Sequence, residues 1–472
     1  MKKNVVKLLF VLSMTLTLLL GCSNLSSTEK SSNEEIMSVT EDTLKEIVTG
    51  KDYVIVDTRN DEEYNGWVID KDITQGHIKG AVNFSESWLE NLSDKDKQKL
   101  LDETGITKDK KIIIYSNYGK ESLSLAEKMS KLGYEEVLNI SLKDISSDSK
   151  LSSIVEFEHM ENYQMFVYPQ WVKDLVAGNN PDTYDGRDYI IIDTNYKTFE
   201  DYKKGHLPTS IYMDTCEIEE APLWNLVSPE KFKELFKKTG ITKDTLVILS
   251  SDEPMASGRL AAAFMYAGVE DVRMLNGGNQ AWRQAGFEME TKVNEWKQGD
   301  DFGAKIPVHP EYNIGMEEAK KLLNNPNGRL VAVVCWDEYT GKNNGGYSYF
   351  DEKGRIPGSV FGYGGVDAYH SEDFLDSDWT MRSYKEMEKI WAEWDIKPEN
   401  ESSFFCATGW RGGLAFFETY AMGWKNVSVF DGGFYEWSRD PKNPINTGDP
   451  REEYKKDREN SELKYLNSVG NH

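Results

Sequence analysis

Short runs of apolar or small residues recur along the chain, at Ile112 to Tyr115, Leu246 to Leu249 and Ser403 to Phe405. Each leads into a loop of small residues and then into apolar positions at helical spacing, so each predicts a strand, a turn and a helix. A strand with one wet face alternates apolar and polar residues, whereas one covered on both faces reads as a continuous run, so the expectation is a largely parallel sheet between helices. The pattern repeats with its markers. TGITKD stands at Thr104 to Asp109 and again at Thr239 to Asp244, and WDIKPE at Trp394 to Glu399 is its looser echo. Upstream of each lies Gly76-His77-Ile78, Gly205-His206-Leu207-Pro208 or Gly354-Arg355-Ile356-Pro357. Earlier still, apolar strands end in Asp57-Thr58-Arg59 and Asp193-Thr194-Asn195, and the third, Val331 to Val334, is followed by Cys335-Trp336-Asp337. A last marker appears twice, as LNGGNQAW from Leu275 and FDGGFYEW from Phe430, with no counterpart after Val137. The period is too long for a solenoid and predicts three domain-sized duplications.

The fold class expected is therefore α/β, three tandem units in which a largely parallel sheet is covered by helices on both faces. The units are placed at 35–155, 160–297 and 308–450, with linkers near Ser146 to Ser153 and Gln298 to Pro310. A charged tail follows at 451–472. The first 22 residues carry Lys2, Lys3 and Lys7 ahead of an apolar run from Leu8 to Leu20, the layout of a secretory leader and too short for a span of roughly 20 residues. The run closes in Leu20-Gly21-Cys22, which resembles the bacterial lipoprotein box, with Leu20 where a smaller residue is usual. That resemblance implies lipidation at Cys22, a serine-rich tether at 23–34 and anchoring on the extracytoplasmic face of a bacterial cell membrane.

Charge narrows the partners. Without the leader's three lysines, 52 basic residues face 80 acidic ones, a net charge of about −28. Nucleic acid and anionic lipid headgroups are poor partners for such a surface, and an anionic substrate needs a local basic pocket. Six scattered His show no ligand spacing, and no metal is expected. Of four Cys, Cys22 is assigned to lipid, leaving Cys216, Cys335 and Cys406. An odd number in an oxidising compartment argues against a disulfide framework and for a functional thiol. Cys216 is expected to be a packing residue.

Asp-x-Arg after a strand, Gly-His-Ile-x-Gly-Ala, a strand-loop-helix with a Cys, and Asp-Gly-Gly-x-x-x-Trp together resemble the rhodanese (thiosulfate sulfurtransferase) family over nearly all of the mature chain. The likeness is most specific at CATGWRGG, from Cys406 to Gly413. Counted from the TGITKD marker, Ser116 and Ser251 stand where Cys406 stands, so the first two units are expected to be silent. Glu121 in the first, and Asp252 and Glu253 in the second, make those loops hostile to anions.

A Cys at a strand end, ahead of a Gly-containing loop and a helix N-terminus, sits where backbone N–H groups favour a thiolate. The resemblance implies double displacement: thiosulfate or a similar anionic donor loads Cys406 as a covalent persulfide, with no cofactor, and cyanide or a thiol accepts the sulfur. Arg411 is assigned the donor's anionic end as a bidentate fork. The loop residues Ala407, Thr408, Gly409, Trp410 and Gly412 are assigned to the substrate pocket, Trp410 either walling it or packing on a neighbouring unit. Arg355 either faces the pocket or braces a loop. Ala332 and Val334 stand where the family's Asp and Arg would brace the Cys loop. Cys335 is a candidate resolving thiol, with a buried packing role preferred. Four residues between Cys406 and Arg411, against five in the phosphatases and arsenate reductases of this fold, favour sulfur over phosphate. Trp410-Arg411 in place of a neutral loop end favours thiosulfate over 3-mercaptopyruvate. A non-catalytic sulfur carrier or scaffold lipoprotein is the competing class.

Overall fold

A computed structural model of the protein describes residues 36–90 and 92–451. The leader, Cys22, the tether and all but Arg451 of the charged tail lie outside the described residues. No helix among those described is long and apolar enough to cross a membrane.

Three parallel sheets follow one another along the chain. In the first the spatial order is Val82–Asn83, Tyr53–Asp57, Lys111–Ser116, Val137–Ser141. In the second it is Phe166–Val167, Asp271–Leu275, Leu246–Ser250, Tyr189–Asn195, Ile211–Asp214. The third repeats that order with Asn313–Ile314, Val427–Phe430, Glu401–Phe405, Gly328–Ala332, Val360–Phe361. Every pairing within these sheets is parallel. Leu246–Ser250 is buried throughout, as a strand covered on both faces must be. Register fixes the equivalence of the units: Asp57 pairs with Tyr115, Asp193 with Ser250 and Ala332 with Phe405, so the next residues, Ser116, Ser251 and Cys406, occupy one position.

The strand expected at Val331 to Val334 begins and ends earlier, at Gly328–Ala332, because the chain turns there and Cys335 caps the helix Trp336–Tyr339. Neither expected linker is loose. Ser141 and Asp148 cap two short helices, Leu142–Ser147 and Ser149–Ser152, which close the first core with Ile145 and Leu151. Residues 298–310 bury Phe302, stacked on Phe236 at 4.5 Å, and Ile306. Burying such side chains stabilises by ~2 kcal/mol each, enough to hold an extended segment on the second unit.

The second and third units share one apolar core. Helix Pro254–Ala267 crosses helix Trp410–Ala421, and Phe166 meets Phe417 edge-on at 5.3 Å. The crossing is close because a Cβ on Gly258 would stand 2.5 Å from the Leu414 Cα, and one on Gly413 would stand 2.9 Å from the Arg259 Cα. The first unit docks by apolar and polar contacts: Trp67 packs edge-on to Trp171 while its Nε1 donates to the Phe166 carbonyl at 3.0 Å, and Trp88 Nε1 donates to Asp378 at 2.8 Å. Asp61 accepts from Tyr168 Oη at 2.8 Å and from Asn276 Nδ2 at 2.5 Å.

Candidate active site

Cys406 leaves the end of the strand Glu401–Phe405 with only 2 % of its surface exposed. The loop Cys406-Ala407-Thr408-Gly409 then enters the helix Trp410–Ala421 through Gly409, whose φ of 88° is a left-handed conformation. The Asp431-Gly432-Gly433 turn supports the loop from behind. Phe434 N donates to the Cys406 carbonyl at 2.9 Å and Tyr435 N to the Ala407 carbonyl at 3.2 Å. A Cβ on Gly433 would collide with both carbonyl oxygens, which explains the second Gly of the marker. The second unit repeats the device, with Asn279 N donating to the Ser251 carbonyl at 3.1 Å behind Gly278.

Arg411 is fully buried, and its fork is already filled. Nη1 and Nη2 donate to the two Glu338 oxygens, each at 2.9 Å, and reach the Asp367 carbonyl at 3.1 Å and Tyr347 Oη at 2.9 Å. Only Nε has no partner. Arg411 therefore anchors the loop to Glu338 instead of presenting its fork to a donor. This pair also supplies the brace that Ala332 and Val334 lack. In the first unit Arg59 Nη2 grips Asp57 at 2.7 Å and Nη1 faces Asn117 Oδ1 of the silent loop at 3.5 Å. In the third, the cation comes from the helix that the loop enters and the anion from the helix after the strand Gly328–Ala332.

Cys335 is buried, and its Sγ accepts from Glu338 N at 3.4 Å while Glu338 Oε2 accepts from Cys335 N at 2.9 Å. Burial, then the Glu338 carboxylate, pushes its thiol up to about 11, so it stays protonated near neutrality. It acts as a helix cap, with a thiol poorly suited to attack. Cys216 is exposed, a correction to its expected packing role. It sits in the short turn Thr215–Glu217, and Cys216 N donates to Asp214 Oδ1 at 3.0 Å. Partial burial, then its bond to Asp214, pushes its thiol up to about 11.

Trp410 faces the neighbouring unit, its Nε1 donating to Glu219 at 2.9 Å. Thr408 is buried beneath Tyr349, and Gly412 lets the helix pack on the Phe404 carbonyl, from which a Cβ would stand 2.8 Å. Arg355 lies over the Tyr339 ring at 5.2 Å, in the place where His77 stacks on Tyr64 at 3.6 Å and His206 on Tyr202 at 3.8 Å. It also donates to the Gly448 carbonyl at 2.6 Å and borders a small cavity with Glu338, Tyr347 and Ala407.

Sequence reasoning missed Glu338, Tyr347 and Tyr349. Glu338 had a signal, since Glu63-Tyr64 and Glu338-Tyr339 stand at the same distance after their strands. The tyrosines come from a stretch, Gly341 to Lys353, that the second unit lacks. Tyr347, held in its phenol form by burial, and Tyr349 both face Cys406, and the Tyr369 ring lies tilted against Tyr347 at 6.0 Å.

The silent loops are filled from within. Ser116 Oγ donates to Glu121 at 2.7 Å and Tyr118 N to the same oxygen at 3.4 Å, so that loop holds its own carboxylate. In the second, Ser251 Oγ donates to the Glu253 carbonyl at 2.6 Å.

Comparison with known proteins agrees with this architecture. The rhodanese-like domain profile matches residues 40–142, 168–285 and 315–440. Thiosulfate sulfurtransferase YnjE of Escherichia coli K12 is 39% identical over 395 residues, covering 84% of this chain and 89% of that one. The sulfur carrier protein TtuD of Thermus thermophilus is 26% identical over 52% of this chain and 87% of its own. The solved structure of wild-type EanB superposes with a TM-score of 0.83 at 34% identity, covering 88% of this chain and 99% of that one. Another EanB structure holds ergothioneine covalently linked with a persulfide cysteine. With three tandem copies of the domain, the chain belongs to the rhodanese-like family of sulfurtransferases.

Proposed function

We propose that Cys406 carries sulfane sulfur as a persulfide, loaded from thiosulfate or a similar small donor. The observation that carries this reading is the position of Cys406: of the three equivalent strand ends it alone bears a thiol, set in a loop that enters a 12-residue helix at its N-terminus. In the loading step the Cys406 thiolate attacks the outer sulfur of thiosulfate. A new S–S bond forms as the old one breaks, and its electron pair leaves with sulfite. Cyanide or a thiolate then takes the outer sulfur and returns the Cys406 thiolate. Because Glu338 balances Arg411, the loop N–H groups, the helix terminus and the unpartnered Arg411 Nε are the donors left to meet an anionic donor. Incubation of the mature chain with thiosulfate is expected to add one sulfur to the Cys406 peptide and release one sulfite per chain. An unchanged peptide mass with an intact thiol refutes the reading.

A second acceptor is favoured by the tyrosines over Cys406. EanB, whose structures hold hercynine and ergothioneine, shares this fold, and a wall of Tyr347, Tyr349 and Tyr369 suits a planar heteroaromatic acceptor. Thiolated hercynine formed by the sulfur-loaded chain would support this acceptor, and sulfur passing only to cyanide or thiols would exclude it. We also propose lipid anchoring at Cys22, tested by loss of membrane partitioning in Cys22→Ala.

A further inference from the structure

We propose that the second unit, although it has no nucleophile, holds the catalytic loop of the third in place through Arg259, a positioning residue for Cys406. The inference rests on Cys406 being the sulfur carrier. Arg259 lies on the helix Pro254–Ala267 that follows the silent loop, and its side chain is almost wholly buried. It bridges its own unit and the third. Nη2 donates to Asp431 Oδ1 at 2.8 Å and to the Trp224 carbonyl at 3.0 Å, while Nε donates to Glu219 at 3.1 Å. Its Nη1 lies beneath the left-handed turn, 2.6 Å from where a Cβ on Gly409 would stand.

Two of these partners, Asp431 and Glu219, lead to the loop at different points. Asp431 begins the turn that hydrogen-bonds the Cys406 and Ala407 carbonyls. Glu219 accepts from Trp410, the first residue of the helix that the loop enters. Back and far end of the loop are thus tied to one guanidinium from the neighbouring unit, which also packs beneath Gly409 in its middle. Planar two-armed donation does this; a lysine ammonium would keep the charge and lose the geometry. The network carries two carboxylates and one cation beside the loop, and the groups that act on Cys406 from its own unit are Arg411, Tyr347 and Tyr349, with Glu338 and Cys335 on the far side of Arg411.

Two variants move the charge beside the loop in opposite directions, and a loss of packing alone does not. Arg259→Met leaves two unopposed carboxylates and disfavours the Cys406 thiolate; Glu219→Gln removes one carboxylate, keeps an acceptor for Trp410 and favours the thiolate. In the full chain, the pH midpoint of Cys406 alkylation by iodoacetamide, read by mass on its peptide, is expected to rise by about one unit in Arg259→Met and to fall in Glu219→Gln. Arg259→Lys is expected to keep the parent midpoint and load sulfur about tenfold more slowly. If Arg259→Met does not fold, the other two variants carry the test. Parent-like midpoints and loading in the variants, or shifts of one sign in both charge variants, overturn the inference while the parent still loads sulfur. A parent that takes no sulfur overturns the proposed function instead, and the alkylation midpoints still decide whether Arg259 acts on the loop.

Discussion

Replacing Glu338 by Gln tests the idea that the catalytic loop is fastened by an internal ion pair. Glu338 accepts three bonds of 2.9 Å, two from Arg411 and one from Cys335 N. A glutamine has one acceptor oxygen and turns an NH2 group toward donors on its other side. At least one of those donors loses its partner, and the buried Arg411 charge loses its counter-ion. Breaking one side of a buried pair costs about 3–5 kcal/mol, and at ~2–4 °C per kcal/mol for a body the size of two units this lowers the melting temperature by roughly 6–20 °C. Removing both charges with well-packed apolar residues is close to neutral. Glu338→Leu with Arg411→Met should therefore recover most of the stability lost by either single variant while remaining slow in sulfur transfer. Differential scanning calorimetry of the parent, Glu338→Leu, Arg411→Met and the double variant, read as a double-mutant cycle with Glu338→Gln measured beside it, is the assay. A Glu338→Gln protein as stable as the parent, or a double variant no better than the worse single one, refutes the reasoning.

Two further outcomes follow from contacts of a different kind. Gly433→Ala places a methyl against the Cys406 and Ala407 carbonyls, so it should cost ~1–3 kcal/mol and slow sulfur loading more than tenfold, measured by sulfite release. Burial holds Asp61 at about 8 where it joins the first unit to the second. An unfolded Asp ionises near 4, so folding keeps a proton that the unfolded chain gives up, and stability is full below pH ~4 and falls by at most ~1.4 kcal/mol per unit up to about 8. Asp61→Asn keeps an acceptor for Tyr168 and Asn276 and should flatten that slope in urea titrations at successive pH values. An unchanged slope contradicts the assignment.

The repeat, the parallel sheets and the position of Cys406 were legible in the sequence because they rest on backbone demands. Runs without alternation, a Gly where a carbonyl presses close and a fixed count from a shared marker all leave a trace in one dimension. The partners of the loop left less. Arg411 looked like an anion receptor because its charge was visible and the compensating Glu338, 73 residues earlier, was not. Arg259 follows a loop that the sequence marks as hostile to substrate, and only the helix crossing carries it to the next unit. Tyr347 and Tyr349 lie in an insertion, and no periodicity says where an insertion folds. Cys216 was judged by the average habit of free cysteines, which a short exposed turn overrides.

The close crossing at Gly258 and Gly413 bears on how the gene can be cut. Severing the chain between residues 298 and 310 would bare a face where two backbones now touch, together with the rings of Phe166 and Phe417. A fragment holding only the last unit would expose that apolar face to water and would be expected to aggregate. The smallest soluble piece that carries Cys406 is therefore expected to be the second and third units together, so the copy without a thiol still serves its neighbour as the cover of a shared core.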